Sequence, residues 1–422
     1  MLTFFLSLLL VCLILLTAII LRIIHGSWLA PSAFYSLWWG STTLISVLIG
    51  SKENVPNVGL IWILSSCILI GLGSLIFIAP KLTTFNLESQ NYDNLYLANR
   101  LLRVVYFFSV LFSFSYIISF IIYNQVSIQD FKSLEGLLIL SAKFSKDRYE
   151  ENATLPMFIK LQLPFVFFAN ALGGALFSIS RKKKYFLALL PSVIISILFT
   201  EKAGIFFCLS IWISAYLSLT VALNNLKFFN YQIILRLFMS GVILLSILIT
   251  SAFARLGTVD MGEFEVVLDK LYSTLFGHIA AFSNWLQSFD FINSSLSYGR
   301  FTLAGVFDFF GISKRDIGLY TVNYKLSNGE MTNLYSIHKG LILDFSAFGS
   351  LIIYFIYGMI GSFLFAGSIK GKRIYIGFLS IIYLITFVSI FYSIFIFNTT
   401  LLSCFMTVFV FLKLKLIQVK RN

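Results

Sequence analysis

Long apolar stretches recur eleven times between Leu2 and Phe411, divided by short polar joints. A hydrocarbon core about 30 Å thick takes about 20 helical residues to cross. Backbone groups inside it must bond one another, in a helix or in a closed barrel. Leu2–Leu21, Gly59–Ile78 and Ile374–Phe395 are unbroken apolar runs without the alternation of barrel strands. The expected class is therefore all-α, a polytopic helical integral membrane protein. It should have about 11 transmembrane helices (10–12) and a large extracytoplasmic loop.

Composition agrees, because 12% of the residues are charged, against about 25% in a soluble globular chain. Leu2–Leu21 has no basic residue before it and no convincing small-residue cleavage site after it, so it reads as a first span rather than a signal peptide. Cys12, Cys67, Cys208 and Cys404 all fall inside apolar runs with no CxxC pair, and read as buried small apolar residues.

Charge separates the two sides. If Arg181-Lys182-Lys183-Lys184 is cytoplasmic, as basic joints are, alternation places 17 Lys/Arg inside with only Glu88 and Asp93. The other side then holds 14 Lys/Arg and 16 Asp/Glu. The net charge of +13 is thus +15 inside and −2 outside, which assigns the basic excess to membrane topology and not to nucleic acid. The N-terminus is expected outside and the C-terminus in the cytoplasm. Three regions follow: an N-terminal bundle of eight spans (1–253), an outer loop (254–340), and a C-terminal bundle of three spans with a basic tail (341–422).

A loop that long is usually functional. Within Gly262–Gln287, Phe264, Leu268, Leu271, Leu275, Phe282 and Leu286 recur at helical spacing opposite Glu265, Asp269 and Ser273, which predicts one amphipathic helix. Two polar interruptions invite chemistry. Lys202, beside Glu201, reads either as a cation for an anionic headgroup or as a snorkelling interface residue. Asp344 opens the span near Gly340. In a helix starting about Asn333 and capped by Thr332 or Asn333, Asn333, Ile337, Gly340 and Asp344 share a stripe. There Asp344 could face an outer site or brace an arginine on a neighbouring helix.

His25 reads as structural and His278 as a packed, satisfied residue. His338, beside Lys339, keeps a catalytic or substrate-orienting role open. No histidine spacing resembles a metal-ligand set; no cofactor is expected, with a metal left open. Outer cations include Arg255, Arg300 and Lys339, and arginine offers a planar donor fork suited to phosphate oxygens.

The C-terminal half resembles the bacterial oligosaccharide repeat-unit polymerases, the Wzy type that builds O-antigen or capsular chains. Thr332-Asn333-Leu334-Tyr335-Ser336, followed by Leu343-Asp344-Phe345 and Gly349, is similar to the family's N-x-Y-[ST] and D-F-x-x-x-G-type stretches. Tyr298-Gly299-Arg300-Phe301-Thr302 resembles the tract upstream. Glu201-Lys202-Ala203-Gly204 stands where members often carry a G-S-R-like turn, with lysine in place of arginine. The resemblance implies a glycosyltransferase of the bacterial plasma (inner) membrane. Its donor would be an oligosaccharide on undecaprenyl diphosphate, passed to the nonreducing end of another lipid-linked unit on the outer face. The linkage itself supplies the driving force. Arg300 and Arg255, aided by Lys202 and Lys339, would stabilise the leaving diphosphate; Asp344 or His338 would accept the acceptor's proton; Asn333, Tyr335 and Tyr320 would orient sugar. Implied partners are membrane lipids, a chain-length regulator and a flippase. The rival readings are a lipid-linked oligosaccharide flippase, which would show broken helices and mid-span charge, and the related O-antigen ligase.

Overall fold

The computed structural model describes residues 2–49, 55–78, 100–149, 156–198, 202–223, 245–254, 256, 261–291, 293–313, 320 and 322–413. Among them the chain is almost wholly helical. In order come α1 (Leu2–His25), α2 (Pro31–Ile49), α3 (Asn57–Ser74), α4 (Arg100–Tyr123), α5 (Leu134–Tyr149), α6 (Leu163–Ser180), α7 (Leu189–Leu198), α8 (Lys202–Ala222) and α9 (Leu245–Ala254). α10 (Phe264–Leu275), α11 (Gly277–Ser288), α12 (Ala304–Phe309), α13 (Ser336–Ile369), α14 (Arg373–Val388) and α15 (Asn398–Leu412) follow. The strands β1 (Tyr324–Lys325) and β2 (Met331–Thr332) pair antiparallel in a small hairpin before α13.

Six helices of the described residues are long and apolar enough to cross a membrane: Thr3–His25, Asn57–Phe77, Arg100–Tyr123, Met157–Ser180, Gly204–Ala222 and Ser336–Ile369. α9, α14 and α15 are apolar but shorter. The eleven-span count also runs through residues 79–99 and 224–244, which lie outside the described residues.

A membrane helix need not segregate polar from apolar faces, and α1 shows the consequence. Val11, Ile14, Ala18 and Leu21, three and four apart, are buried, while Leu9, Leu13, Leu16 and Ile20 are exposed and equally apolar. Cys12 lies on the exposed side, a departure from the buried role expected of all four cysteines; Cys67, Cys208 and Cys404 are buried.

The chain divides into two compact units that interleave along the sequence. One comprises Met1–Glu88, Thr220–Leu226 and Tyr272–Leu401; the other comprises Ser89–Leu219, Lys227–Leu271 and Leu402–Asn422. The second is cored by Tyr116, Ile117 and Phe120 of α4, Leu140 and Phe144 of α5, and Ile195 and Leu198 of α7. Its helix α6 meets α8 at Gly174, where a Cβ would stand 2.0 Å from the Trp212 carbonyl oxygen.

In the first unit α3 runs against the later part of α13 at backbone distance. A Cβ on Gly73 would lie 2.0 Å from the Phe355 carbonyl oxygen, and one on Gly358 2.0 Å from that of Ile70. Close packing of this kind is what holds apolar helices together where lipid takes the place of water.

Three departures from the expected elements shape this unit. The single amphipathic helix over Gly262–Gln287 is two helices, because Phe276 leaves helical geometry (φ −125°, ψ −18°) ahead of Gly277. α13 begins at Ser336 and not near Asn333, since Met331 and Thr332 are committed to the hairpin. The Thr332 hydroxyl accepts from Leu334 N–H at 3.3 Å instead of capping the helix. α13 is also broken at Ser346 (φ 67°, ψ 173°), a region nearly reserved for glycine that costs about 1–3 kcal/mol. Ser346 Oγ accepts from Gly349 N–H at 3.3 Å and so caps the second half.

The apolar run Ile374–Phe395 is likewise not one helix. α14 ends at Val388, and Ser389, Ile390, Phe391, Ser393 and Ile394 continue buried before α15. Non-helical backbone at such a place must find partners in protein. The Ser389 carbonyl accepts from Ile337 N–H at 2.9 Å, joining the end of α14 to the start of α13.

Candidate functional site

The break at Ser346 exposes the last carbonyls of the short helix Ser336–Phe345, and a turn from the segment preceding α12 takes them. Ser297 N–H donates to Leu343 O at 2.9 Å and Tyr298 N–H to Asp344 O at 3.2 Å. The same turn is held by the Asp344 side chain. Phe301 N–H donates to Oδ1 at 3.1 Å, Thr302 N–H to Oδ2 at 2.7 Å, and the Thr302 hydroxyl to Oδ2 at 2.7 Å. Asp344 is 0% exposed, and among the described residues its partners are these donors. Tyr298 (φ 49°) and Gly299 (φ 96°) both turn through the left-handed region, which glycine tolerates without strain. Arg300, at the head of this fastened turn, is exposed. Among the described residues Asp344 thus braces no arginine, and it is closed to solvent; it builds the platform on which Arg300 stands.

Thr302 and Leu303 then enter the wall of a cavity of about 250 Å³. Ile337, Leu341 and Phe345 line it from before the break in α13, Ile353, Tyr354 and Tyr357 from after it. Tyr35, Ile385, Ser389, Ser393 and Phe395 complete the lining. The wall is mainly hydrocarbon with a few hydroxyls, the usual make-up of a site for a largely apolar ligand.

Lys339 is enclosed by a nest of aromatic rings. Its Nζ lies 3.3 Å from the Tyr335 ring centroid, 4.5 Å from that of Tyr320 and 5.3 Å from that of Trp285. It is 5% exposed, and the ring faces take the place of a counter-ion. Tyr335 donates its hydroxyl to Val322 O at 2.9 Å. Tyr320 stacks on Phe301 with centroids 5.5 Å apart, linking the cage to the Arg300 turn. Burial raises the phenol pKa of Tyr320, with the Asp344 charge adding to it, and burial also raises that of Tyr335. Both tyrosines stay neutral and present rings, not anions, to the ammonium.

His338 is 0% exposed. Its Nδ1 pairs with the Tyr354 hydroxyl, and its ring sits 4.5 Å from that of Trp39 and 5.3 Å from that of Phe282. The His278 ring is also near Trp39, with centroids 6.3 Å apart. His278 is packed as expected, and neither ring nitrogen makes a hydrogen bond of ordinary geometry, its nearest acceptor being the Leu275 backbone. Burial takes its pKa down to about 4, a little offset by the Leu275 carbonyl. His25 bonds Ser74 Oγ through Nε2 at 2.9 Å, a tie between α1 and α3.

The structure therefore brings Arg300, Asp344, Tyr320, Tyr335, Lys339 and His338 into one unit, with Asp344, Tyr320 and Phe301 in direct succession. Asn333 is exposed in the link between hairpin and helix. Lys202 opens α8 in the other unit. Arg255 and Glu201 lie outside the described residues. No group of three or more potential metal ligands occurs among the described residues. Sequence reasoning quoted Thr302 in a motif but gave it no role, and it missed Tyr35, Tyr354 and Tyr357. The only hint was the spacing of three between Tyr354 and Tyr357, which any packed membrane helix could share. Compared with family models, curated proteins and solved structures, the chain finds no match.

Proposed function

We propose that the chain is a polymerase of lipid-diphosphate-linked oligosaccharide repeat units, working at the outer face of a bacterial plasma membrane. What carries this reading is one juxtaposition. An exposed arginine stands on a turn whose next residues, Thr302 and Leu303, line an apolar cavity. A polyprenyl diphosphate needs both environments within a few ångströms, hydrocarbon for the lipid and a forked cation for the diphosphate. In this reading the eleven-span topology holds, with residues 254–340 outside.

The acceptor hydroxyl oxygen bonds the donor's anomeric carbon as that carbon's bond to the diphosphate oxygen breaks, and the hydroxyl proton passes to the departing diphosphate. Arg300 neutralises the charge gathering on that oxygen, a preorganised contact worth several kcal/mol. Asp344 fixes the arginine's turn rather than moving a proton. Lys339 holds the Tyr320–Tyr335 face rigid beside it.

The broken α13 and the buried non-helical stretch after α14 favour a second reading, a transporter for the same lipid-linked glycan, since such proteins place discontinuous helices around the substrate. Membranes given only lipid-linked repeat units separate the two. Laddered products support polymerisation. Unchanged substrate that crosses the bilayer would replace it with transport.

A further inference from the structure

The outer segment carries a patch of large apolar side chains that no described residue covers. Phe309, Phe310 and Ile312 are 64%, 70% and 68% exposed, around Gly311 at φ 68°. They sit on one side of α12 and the turn after it. The opposite side packs inward, with Leu303 in the cavity wall and Phe307 against Gly299, where a Cβ would be 3.0 Å from the Phe307 ring. Amphipathic segments of this kind suit the boundary between headgroups and acyl chains.

The height of α12 along the bundle is set by two contacts. A Cβ on Gly305 would lie 2.8 Å from the backbone of Phe395, Ile396 and Phe397, so α12 rests on the turn joining α14 to α15. That turn stands about 24 Å from the basic start of α14 by helical rise, close to the depth of the hydrocarbon core. Tyr298 N–H, at the near end of the segment, bonds Asp344 O beside the break in α13. Phe348, just past that break, is 74% exposed on a membrane-crossing helix. The segment that carries the patch is thus fastened at one end beside Asp344 and at the other to the turn joining α14 to α15, and in the sequence Lys314-Arg315 follows one residue after it.

We propose that Phe309, Phe310 and Ile312 dip into the outer edge of the bilayer and anchor the segment bearing Arg300. The occupant of the patch is lipid, not a second protein. The inference stands whether the chain polymerises or transports.

The test uses the full chain in lipid nanodiscs with Cys12→Ser, because Cys12 is the exposed cysteine and the others are buried. A nitroxide label is placed at Phe309→Cys, Phe310→Cys or Ile312→Cys, with Asn293→Cys and Asn328→Cys as exposed polar controls. Power saturation compares collisions with oxygen, which concentrates in lipid, and with a water-soluble nickel chelate. Oxygen dominating at the three patch sites and the chelate at the two controls is the expected result. Chelate dominance at the patch overturns the proposal by showing it in water. Protection from both reagents, with dipolar broadening between labels, overturns it in favour of a second copy. The side chains are exposed, so the substitutions remove no core contact, and three independent sites guard against one variant failing to fold.

Discussion

Thr302 gives Asp344 two hydrogen bonds, from its amide and its hydroxyl, both to Oδ2 at 2.7 Å. The acceptor is a buried carboxylate, so each bond is charge-assisted and stronger than a neutral one. Asp344→Asn removes the charge and turns one end of the group into a donor facing other donors. The expected cost is about 2–3 kcal/mol, the range for hydrogen bonds to charged groups. Thr302→Val deletes only the hydroxyl and should cost about 1 kcal/mol. Thermal unfolding in detergent ranks the two, and equal Tm values would remove the fastening role given to Asp344.

Arg300 carries the opposite expectation. Its side chain is exposed, so Arg300→Ala should leave Tm within the scatter of surface substitutions, about 0.5 kcal/mol, while abolishing polymer. Arg300→Lys should restore little, because a point charge lacks the two-pronged geometry. Full-length ladders from Arg300→Ala at wild-type membrane abundance would exclude its role with the diphosphate.

Lys339→Met keeps the length of the side chain and removes the ammonium from the rings of Tyr335, Tyr320 and Trp285. Loss of a desolvated cation–π contact is worth about 2 kcal/mol, offset by no longer burying a charge. A stability change with unaltered donor affinity is expected. If Lys339→Met instead weakens binding of lipid diphosphate without moving Tm, the ammonium is a ligand to phosphate and the cage is incidental.

His278 links stability to pH. Its folded pKa of about 4 lies below the ordinary 6.5, so the unfolded chain binds the extra proton between those values. The contribution is whole above pH 6.5 and shrinks as pH falls toward 4, by about 1.4 kcal/mol per unit at most. His278→Phe should flatten the fall in Tm across that window. An unchanged slope would mean that the ring is protonated in the folded state.

Gly358 and Ile70 test the packing. A methyl at Gly358 would stand 2.0 Å from the Ile70 carbonyl oxygen, and overpacking costs about 1–3 kcal/mol or more when backbone must move. Gly358→Ala should reduce folded protein on size-exclusion chromatography. Gly329→Ala, where nothing lies within 4 Å of the added Cβ but φ is 87°, should strain only the hairpin turn and leave the bundle intact.

Much of the helical class could be read from Leu2–Leu21 and its fellow runs, because a chain this apolar can satisfy its backbone only by coiling on itself. Asp344 was also visible as an anomaly, since a charge in such a run demands a partner. Its partners were not visible. They are two backbone amides and a hydroxyl more than forty residues away, and amides carry no signature in a sequence. Asn333 was misplaced for a related reason: helix propensity could not foresee that Met331 and Thr332 would pair with Tyr324 and Lys325.

The sequence by itself determined the all-helical class of this protein, through its apolar runs, and singled out Asp344, through the cost of charge in such a run, and Arg300 and Lys339, as cations near it. Tertiary structure decided what each charge does. The break at Ser346 frees carbonyls that pull the Arg300 turn onto α13, and ring faces from three separate segments gather around Lys339. Both depend on residues distant in the chain meeting in a low-dielectric interior, where an unpaired group is too costly to leave alone and whichever donor or ring arrives becomes its partner.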